Sequence, residues 1–183
     1  MTDEQKSVLS FSGEHRWLSN FWESPIRFYA LDELWEFSTA EQVFQMAKLQ
    51  FADLSLEELQ ALFEQVKDLE TPSQAKRFGR RIPQLDVPVW NAARDRAMRY
   101  VVAAKFTHSK ELRQKLLELE GYYLEEGNHW GDRYWGVDGT GENRLGKILM
   151  ELRDDWLSRS RGMFVEPMFP EYHFRAERLT VAE

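Results

Sequence analysis

Apolar residues recur every three or four positions through most of the chain after residue 37, which predicts a mainly helical protein. The first helix is predicted within "STAEQVFQMAKLQF", residues 38–51, where Ser38 precedes Glu41 by three residues, the capping-box spacing. Ser55 and Glu58 repeat this start signal in "SLEELQALFEQVKD", which has a clean apolar face. We therefore expect two consecutive amphipathic helices here.

Further helices are predicted toward the C-terminus. One begins with Thr71 as its cap and Pro72 as its first residue, and Gly79 is a plausible stop. The longest is predicted over residues 88–106, and a short one over 109–119. Asn143 is the expected N-cap of the last helix.

Residues 7–37 have a different character, rich in β-branched and aromatic residues interrupted by turn formers, and they predict short strands in "VLSF", "IRFY" and "LWEF". "YYLEE" is a further candidate strand. The expected fold is mainly α (α+β), a compact helical domain with a few short N-terminal strands. We expect one domain over residues 1–159 and an aperiodic C-terminal extension over 160–183.

Composition limits the class of protein. The 183 residues are 43% apolar and 14% aromatic without a long apolar run, which favours a globular protein that does not span a membrane. No secretory signal is evident and cysteine is absent, so a cytoplasmic location is expected. The net charge of −7 argues against extended nucleic-acid binding.

Six of the ten glycines lie in "GNHWGDRYWGVDGTGENRLG", residues 127–146. This stretch fits neither a P-loop nor a dinucleotide-binding fingerprint. It ends where a helix begins, and the N–H groups of a first helical turn favour an anion such as phosphate. The stretch is therefore a candidate binding loop, and the alternative is a connection whose tryptophans are core anchors.

A polar stripe on the first predicted helix is the second candidate. Glu41, Phe44, Gln45 and Lys48 follow i, i+3, i+4, i+7 spacing, so a carboxylate, a ring, an amide and an amine share one face. This face could line a pocket. In one alternative, Glu41 only bonds back to the Ser38 cap. In another, Glu41, Gln45 and Lys48 are solvated and only Phe44 is buried.

The stretch "WLSNF", residues 17–21, offers the hydrogen-bonding groups of Ser19 and Asn20 between apolar anchors, and a simple turn is the alternative. The four histidines lack zinc-site spacing and have no cysteine companions, so we expect no metal site. No cofactor is expected.

In order and spacing, these pieces resemble the NADAR family, also called YbiA-like. The matching pieces run from Phe11 to Arg153: "LSNF", "AEQVFQMAK", "GRR" with a following tryptophan, "AKF", "DRYWG" and "GENRLGKILMELR". The resemblance implies a compact, mainly helical domain that cleaves N-glycosidic bonds. It further implies substrates such as the phosphoribosylamino-pyrimidine intermediates of riboflavin synthesis, or ADP-ribose attached to guanine.

The resemblance also assigns residues. By motif, it places the family's acidic residue at Glu41 and its helix lysine at Lys48, although Ala40 departs from the usual serine. Asp132 is the expected second catalytic carboxylate. The expected substrate-binding residues are Ser19, Asn20, Phe21, Phe44, Trp90, Trp135, Gly136 and Asn143.

The chemistry of such a reaction accounts for these residue types. Cleavage of a ribosyl C–N bond builds positive charge on the sugar, so the site needs a carboxylate near C1 and a proton donor near the base. If the ribose ring opens, Lys48 could instead attack C1 as a neutral amine and form a Schiff base. Direct hydrolysis and the Schiff-base route both remain open at this stage.

Two readings of other classes also remain. The same pocket could belong to a non-catalytic module that binds ADP-ribose or another nucleotide. Alternatively, the chain could be an interaction protein whose aromatic C-terminal extension contacts a partner. The joint presence of Glu41 and Lys48 favours the enzyme.

Overall fold

The structure is a computed structural model that describes residues 6–162, and these residues form two compact units. One unit is continuous and comprises residues 23–108, whereas the other is assembled from residues 6–22 and 109–162. Nearly all of the predicted C-terminal extension lies outside the described residues. Its boundary at residue 159 and its role as a partner surface therefore stay predictions.

The continuous unit is a β-hairpin followed by four helices. The strands pair antiparallel, with an irregularity between Glu23 and Ile26. The first strand of the chain, β1 (Ser7–Val8), belongs to the other unit. The elements of the continuous unit are β2 (Glu23–Ala30), β3 (Glu33–Thr39), α1 (Ala40–Leu49), α2 (Leu56–Lys67), α3 (Pro72–Gly79) and α4 (Val87–His108).

Helix α1 is the centre of this unit, because it contacts α2, α3, α4 and both strands of the hairpin. Gln42 connects α1 to α2, since its Nε2 donates to the carbonyl oxygens of Val66 at 3.1 Å and Leu69 at 3.0 Å. Val66 lies in the last turn of α2 and Leu69 lies two residues beyond its end, so these bonds fix the chain where α2 stops. Only one side chain of α1, that of Lys48, is more than marginally exposed, so every polar residue on α1 needs a structural or functional reason.

The tight turn of the hairpin contains a strained residue. Leu31 and Asp32 have φ values of 53° and 61°, and this left-handed conformation suits asparagine or glycine better than leucine. We predict that Leu31→Asn raises the free energy of unfolding by about 1 kcal/mol in urea denaturation. Leu34→Asn is the control, because Leu34 is exposed on a strand and should gain nothing. A lower stability for Leu31→Asn than for the wild type would contradict the prediction.

The second unit is built on two helices and a two-stranded parallel pair. Its elements are β1 (Ser7–Val8), a 3₁₀ helix (Gly13–Leu18), α5 (Lys110–Glu118), β4 (Tyr123–Leu124) and α6 (Arg144–Ser160). The buried Arg153 of α6 ties the end of α5 in place, because its Nη1 donates to the carbonyl oxygens of Leu119 at 2.7 Å and Tyr122 at 2.8 Å.

The structure confirms the mainly α fold with few short strands. It also confirms the capping box of Ser55 and Glu58 and the start of α3 at Pro72. The longest helix, predicted over 88–106, runs from Val87 to His108. Within residues 6–162, no helix combines the length and the apolar character that crossing a membrane requires.

Candidate active site

The start of α1 differs from the prediction in a way that changes the reading of Glu41. The N-cap is Thr39 and not Ser38, and the reciprocal partner in the capping box is Gln42. The Thr39 N–H donates to Gln42 Oε1 at 3.0 Å, and the Gln42 N–H donates to Thr39 Oγ1 at 3.3 Å. The expectation that Glu41 could serve the cap was therefore wrong, and the carboxylate needs another explanation.

Glu41 is held instead by Gln45, one turn further along the same helix. Gln45 Nε2 donates to Glu41 Oε1 at 2.8 Å, and the two residues are only 5% and 7% exposed. A carboxylate that is taken out of water to this extent is costly unless other groups compensate it. The polar stripe predicted on α1 is therefore buried at Glu41 and Gln45. The alternative prediction, in which these side chains are solvated, was wrong for both residues.

Lys48 lies at the other end of the stripe, bound to the last residue of α3. Its Nζ donates to the carbonyl oxygen of Gly79 at 2.6 Å and lies 5.7 Å from the centre of the Trp90 ring. Burial lowers the pKa of the Lys48 ammonium below its usual value of 10.5, and the nearby charge of Glu41 partly opposes this shift. The net shift is toward a lower pKa, which makes the neutral, nucleophilic amine easier to form.

An aromatic group borders this amine. The ring of Trp90 on α4 lies 5.2 Å from that of Phe44 and 5.5 Å from that of Phe51, measured between ring centres. The two predicted substrate-binding rings, Phe44 and Trp90, therefore contact each other within the unit, and each residue is only 6% exposed. Their contact with a substrate stays a prediction.

The remaining predicted residues lie in the second unit, and the glycine-rich loop there is held by its own backbone. Gly127 pairs with Val137, and Gly136 packs so closely on the Glu126 carbonyl oxygen that a side chain would not fit. Gly141 packs in the same way on the carbonyl oxygen of Gly136. Gly136 and Gly141 therefore serve close packing of backbone on backbone, whereas Gly131 and Gly139 adopt positive φ values of 85° and 68° that suit glycine. Trp130 in the same loop is exposed rather than a core anchor.

Asp132 organises the turn that carries Trp135. Its Oδ1 accepts hydrogen bonds from the backbone N–H groups of Tyr134 at 3.2 Å and Trp135 at 2.9 Å, a typical aspartate turn. The Asn128 side chain holds the Asp132 backbone, because its Nδ2 donates to the Asp132 carbonyl oxygen and its Oδ1 accepts from the Asp132 N–H. These contacts explain Asp132 without a substrate, and its catalytic role and the binding role of Trp135 stay predictions.

Asn143 stands at the N-cap position of α6, as expected, but its side chain makes no capping bond. It turns toward the strand segment before the loop, where Oδ1 accepts from the Glu126 N–H at 3.1 Å and Nδ2 donates to the Leu124 carbonyl at 2.9 Å. Its φ of 50° is left-handed. Asn143 thus fastens the loop to β4, and the same approach of strand to helix accounts for Gly146, which packs on the Leu124 carbonyl oxygen.

We predict that Asn143→Gly lowers the free energy of unfolding by about 2–3 kcal/mol in urea denaturation. Glycine accepts the left-handed backbone, so the loss isolates the side-chain hydrogen bonds to buried backbone groups. Asn91→Gly is the contrasting variant, because Asn91 is exposed in the first half of α4 and should lose only the helix-propensity cost of about 0.5 kcal/mol. Equal losses for the two variants would contradict the fastening role of Asn143.

The "LSNF" stretch forms a turn directly after the 3₁₀ helix. The Trp22 N–H donates to the Ser19 carbonyl at 3.1 Å, and the Phe21 N–H donates to Ser19 Oγ at 3.2 Å. Asn20 is buried. This geometry supports the turn that was the alternative interpretation, and substrate contacts from Ser19, Asn20 and Phe21 stay predictions.

The predicted site residues thus fall into two sets. Glu41, Phe44, Lys48 and Trp90 lie together in the unit of residues 23–108. The other set, in the second unit, comprises Ser19, Asn20, Phe21, Asp132, Trp135, Gly136 and Asn143. Gly79 was predicted as a helix stop and belongs to the matching piece "GRR", but nothing in the sequence pattern shows that its carbonyl oxygen accepts a hydrogen bond from Lys48.

Comparisons with known proteins bear on this arrangement. A family model described as the NADAR domain matches residues 9–157. The chain is 33% identical over 156 residues to the protein named N-glycosidase YbiA of Escherichia coli K12, and the match covers 84% of this chain and 89% of that protein. It is 32% identical over 157 residues to a riboflavin biosynthesis protein of Vibrio vulnificus, covering 75% of this chain but only 40% of that longer protein.

The fold has a solved counterpart as well. The NMR structure of E. coli YbiA superposes with a TM-score of 0.67 at 27% identity, covering 90% of this chain and 96% of that one. The sequence resemblance inferred from the motifs is therefore confirmed over most of the chain. The chain belongs to the NADAR domain family.

Proposed function

We propose that this protein is an N-glycosidase that hydrolyses the N-glycosidic bond of a phosphorylated ribosylamine. The observation that carries the proposal is the pairing on α1 of a buried carboxylate, Glu41, with a lysine, Lys48, whose pKa burial lowers. The family's relatives named N-glycosidase support the reaction class.

The two side chains suit a reaction that passes through an opened ribose ring. An N-glycoside of an exocyclic amine opens to an imine at C1, and the neutral Lys48 amine adds to that carbon. The base then leaves as a free amine after taking a proton, and Lys48 keeps the sugar as an imine. Water hydrolyses this imine, releasing the sugar aldehyde and restoring the lysine. Glu41 serves as the group that accepts and returns protons in these steps.

Two substrate classes fit this chemistry, namely phosphoribosylamino-pyrimidines and ADP-ribosyl-guanine. We propose the pyrimidine as the primary substrate, because relatives from V. vulnificus and Zea mays carry names that assign them to riboflavin biosynthesis. The net charge of −7 agrees with a small substrate better than with a long nucleic acid. A cytoplasmic location is proposed with it.

The experiment is a parallel incubation of the protein with ribosylamino-pyrimidine phosphate and with ADP-ribosyl-guanine DNA. The proposal expects release of free pyrimidine in the first reaction at a higher kcat/KM than restoration of guanine in the second. A preference for the DNA would move the assignment to ADP-ribosyl-guanine. Tight binding of either compound without release of a base would contradict the enzyme and favour the non-catalytic nucleotide-binding module.

A further inference from the structure

Gly79, the last residue of α3, contacts two side chains of the polar stripe on α1 by different means. Its carbonyl oxygen accepts the hydrogen bond from Lys48 Nζ at 2.6 Å. Its Cα faces the Gln45 amide so closely that a Cβ at residue 79 would overlap Gln45 Oε1 and Cδ. Gly79 thus contacts both Lys48 and Gln45, the residue that is hydrogen-bonded to Glu41.

We propose that Gly79 is a positioning residue for catalysis, which fixes Lys48 through its carbonyl and Glu41 through the space it leaves for Gln45. This inference rests on the proposed N-glycosidase function. It extends that function by naming two residues, Gly79 and Gln45, that do not react but determine where the reacting groups lie.

The choice of glycine at this position is not explained by backbone conformation. Gly79 lies within a helix and has no left-handed φ, and alanine is the better helix former. Glycine is therefore unfavourable for α3 taken alone. The close approach of the Gln45 amide is the feature that requires the missing side chain.

Only the nitrogen of the Gln45 side-chain amide makes a hydrogen bond in this position. Within residues 6–162, no donor reaches the buried Gln45 Oε1, whereas Nε2 is bound to Glu41. A buried carbonyl oxygen without a donor is unfavourable, so the amide orientation costs stability. What this orientation achieves is a carboxylate held in one place.

The carbonyl of Gly79 acts differently on Lys48. It belongs to the last turn of α3, whose carbonyl groups lack partners within the helix and accept lysine donors well. A neutral Lys48 amine that donates one N–H to this oxygen keeps its lone pair for attack on C1. The bond therefore orients the amine without consuming its nucleophilicity.

The test is a double-mutant cycle of Gly79→Ala and Gln45→Ala, measured as kcat and KM on ribosylamino-pyrimidine phosphate. We expect Gly79→Ala to lower kcat by roughly 100-fold with little change in KM, as for a displaced catalytic group. In the Gln45→Ala background, the space is already empty, so adding Gly79→Ala should change kcat by less than about 2-fold. The double variant relieves the overlap and so keeps the test available if Gly79→Ala folds poorly.

A second readout does not depend on activity. Hydrogen exchange of the Gln45 side-chain amide, followed by NMR, should be at least about 10-fold faster in Gly79→Ala, because the bond to Glu41 is lost. Ser73→Ala, an exposed change on the same helix, is the control for both readouts. If the wild type is inactive, the proposed function fails. If the wild type is active and Gly79→Ala behaves like Ser73→Ala, the positioning role fails.

Discussion

Replacing Glu41 by glutamine is expected to abolish turnover while leaving the protein folded. Glutamine has the same size, and its carbonyl oxygen can still accept the hydrogen bond from Gln45 Nε2. Only the charge and the proton-accepting oxygen are removed. General acid–base catalysis contributes roughly 10²–10⁴ in rate, so kcat should fall by at least about 100-fold.

Glu58→Gln is the matched control for this prediction. It is the same substitution at a glutamate that does serve a capping box, where Glu58 Oε2 accepts from the Ser55 N–H at 2.8 Å on an exposed helix start. That variant should lose little stability and no activity. If Glu41→Gln instead resembled Glu58→Gln, with activity intact, the catalytic role of Glu41 would be wrong.

The second large effect is expected for Lys48→Arg, which should inactivate the enzyme although it preserves the positive charge. Guanidinium can donate to the Gly79 carbonyl as Lys48 Nζ does, so binding geometry is largely kept. It is effectively always protonated and cannot attack C1 as a neutral amine. The comparison therefore separates a nucleophile from a group that only binds phosphate.

Lys67→Arg provides the matched control, because Lys67 is also a lysine over a tryptophan ring, that of Trp35 at 6.0 Å, but on the exposed end of α2. It should retain full activity. Partial activity of Lys48→Arg, with none left in Lys48→Met, would indicate that Lys48 binds phosphate and does not attack the sugar.

The lowered pKa of Lys48 gives this prediction a pH dependence. In the proposed mechanism the neutral amine of Lys48 is the reactive form, so kcat/KM should rise with pH and level off once Lys48 is deprotonated, at a midpoint below 10.5. The charge of Glu41 raises the pKa of Lys48, so an NMR titration of Lys48 in Glu41→Gln should show a still lower midpoint. An unchanged or higher midpoint in that variant would contradict the coupling of the two groups.

Most of the helices could be predicted because their signals are local. The apolar periodicity of α2 and the caps at Ser55 and Thr71 each lie within one turn of the helix they start. The apolar periodicity of α4 is local in the same way, and Ala97, Met98 and Val101, which follow it, are buried.

The start of α1 shows the limit of such local signals. Ser38 and Thr39 are adjacent, and each is followed three residues later by a residue able to complete a capping box, Glu41 or Gln42. The choice was decided by tertiary contacts, because Gln42 also binds the end of α2 and Thr39 is buried whereas Ser38 is exposed. No sequence pattern contains that contact.

The candidate site was predictable in part. The spacing of Glu41, Gln45 and Lys48 places them on one face of any helix, so the sequence alone could bring them together. It could not show that this face is buried against α3, because the contact with Gly79 spans 31 residues of chain. The hydrogen bonds of Asn143 back to β4 were hidden for the same reason.

In the proposed reaction, Lys48 is the nucleophile that cleaves the glycosidic bond and Glu41 is its proton-transfer partner. The most direct measurement is borohydride reduction during turnover of ribosylamino-pyrimidine phosphate, followed by mass mapping of the modified peptide. If Lys48 attacks C1, borohydride should yield a stable sugar adduct on Lys48 that requires substrate and is absent from Lys48→Arg. An adduct on another lysine such as Lys105, or none while substrate is consumed, would contradict it.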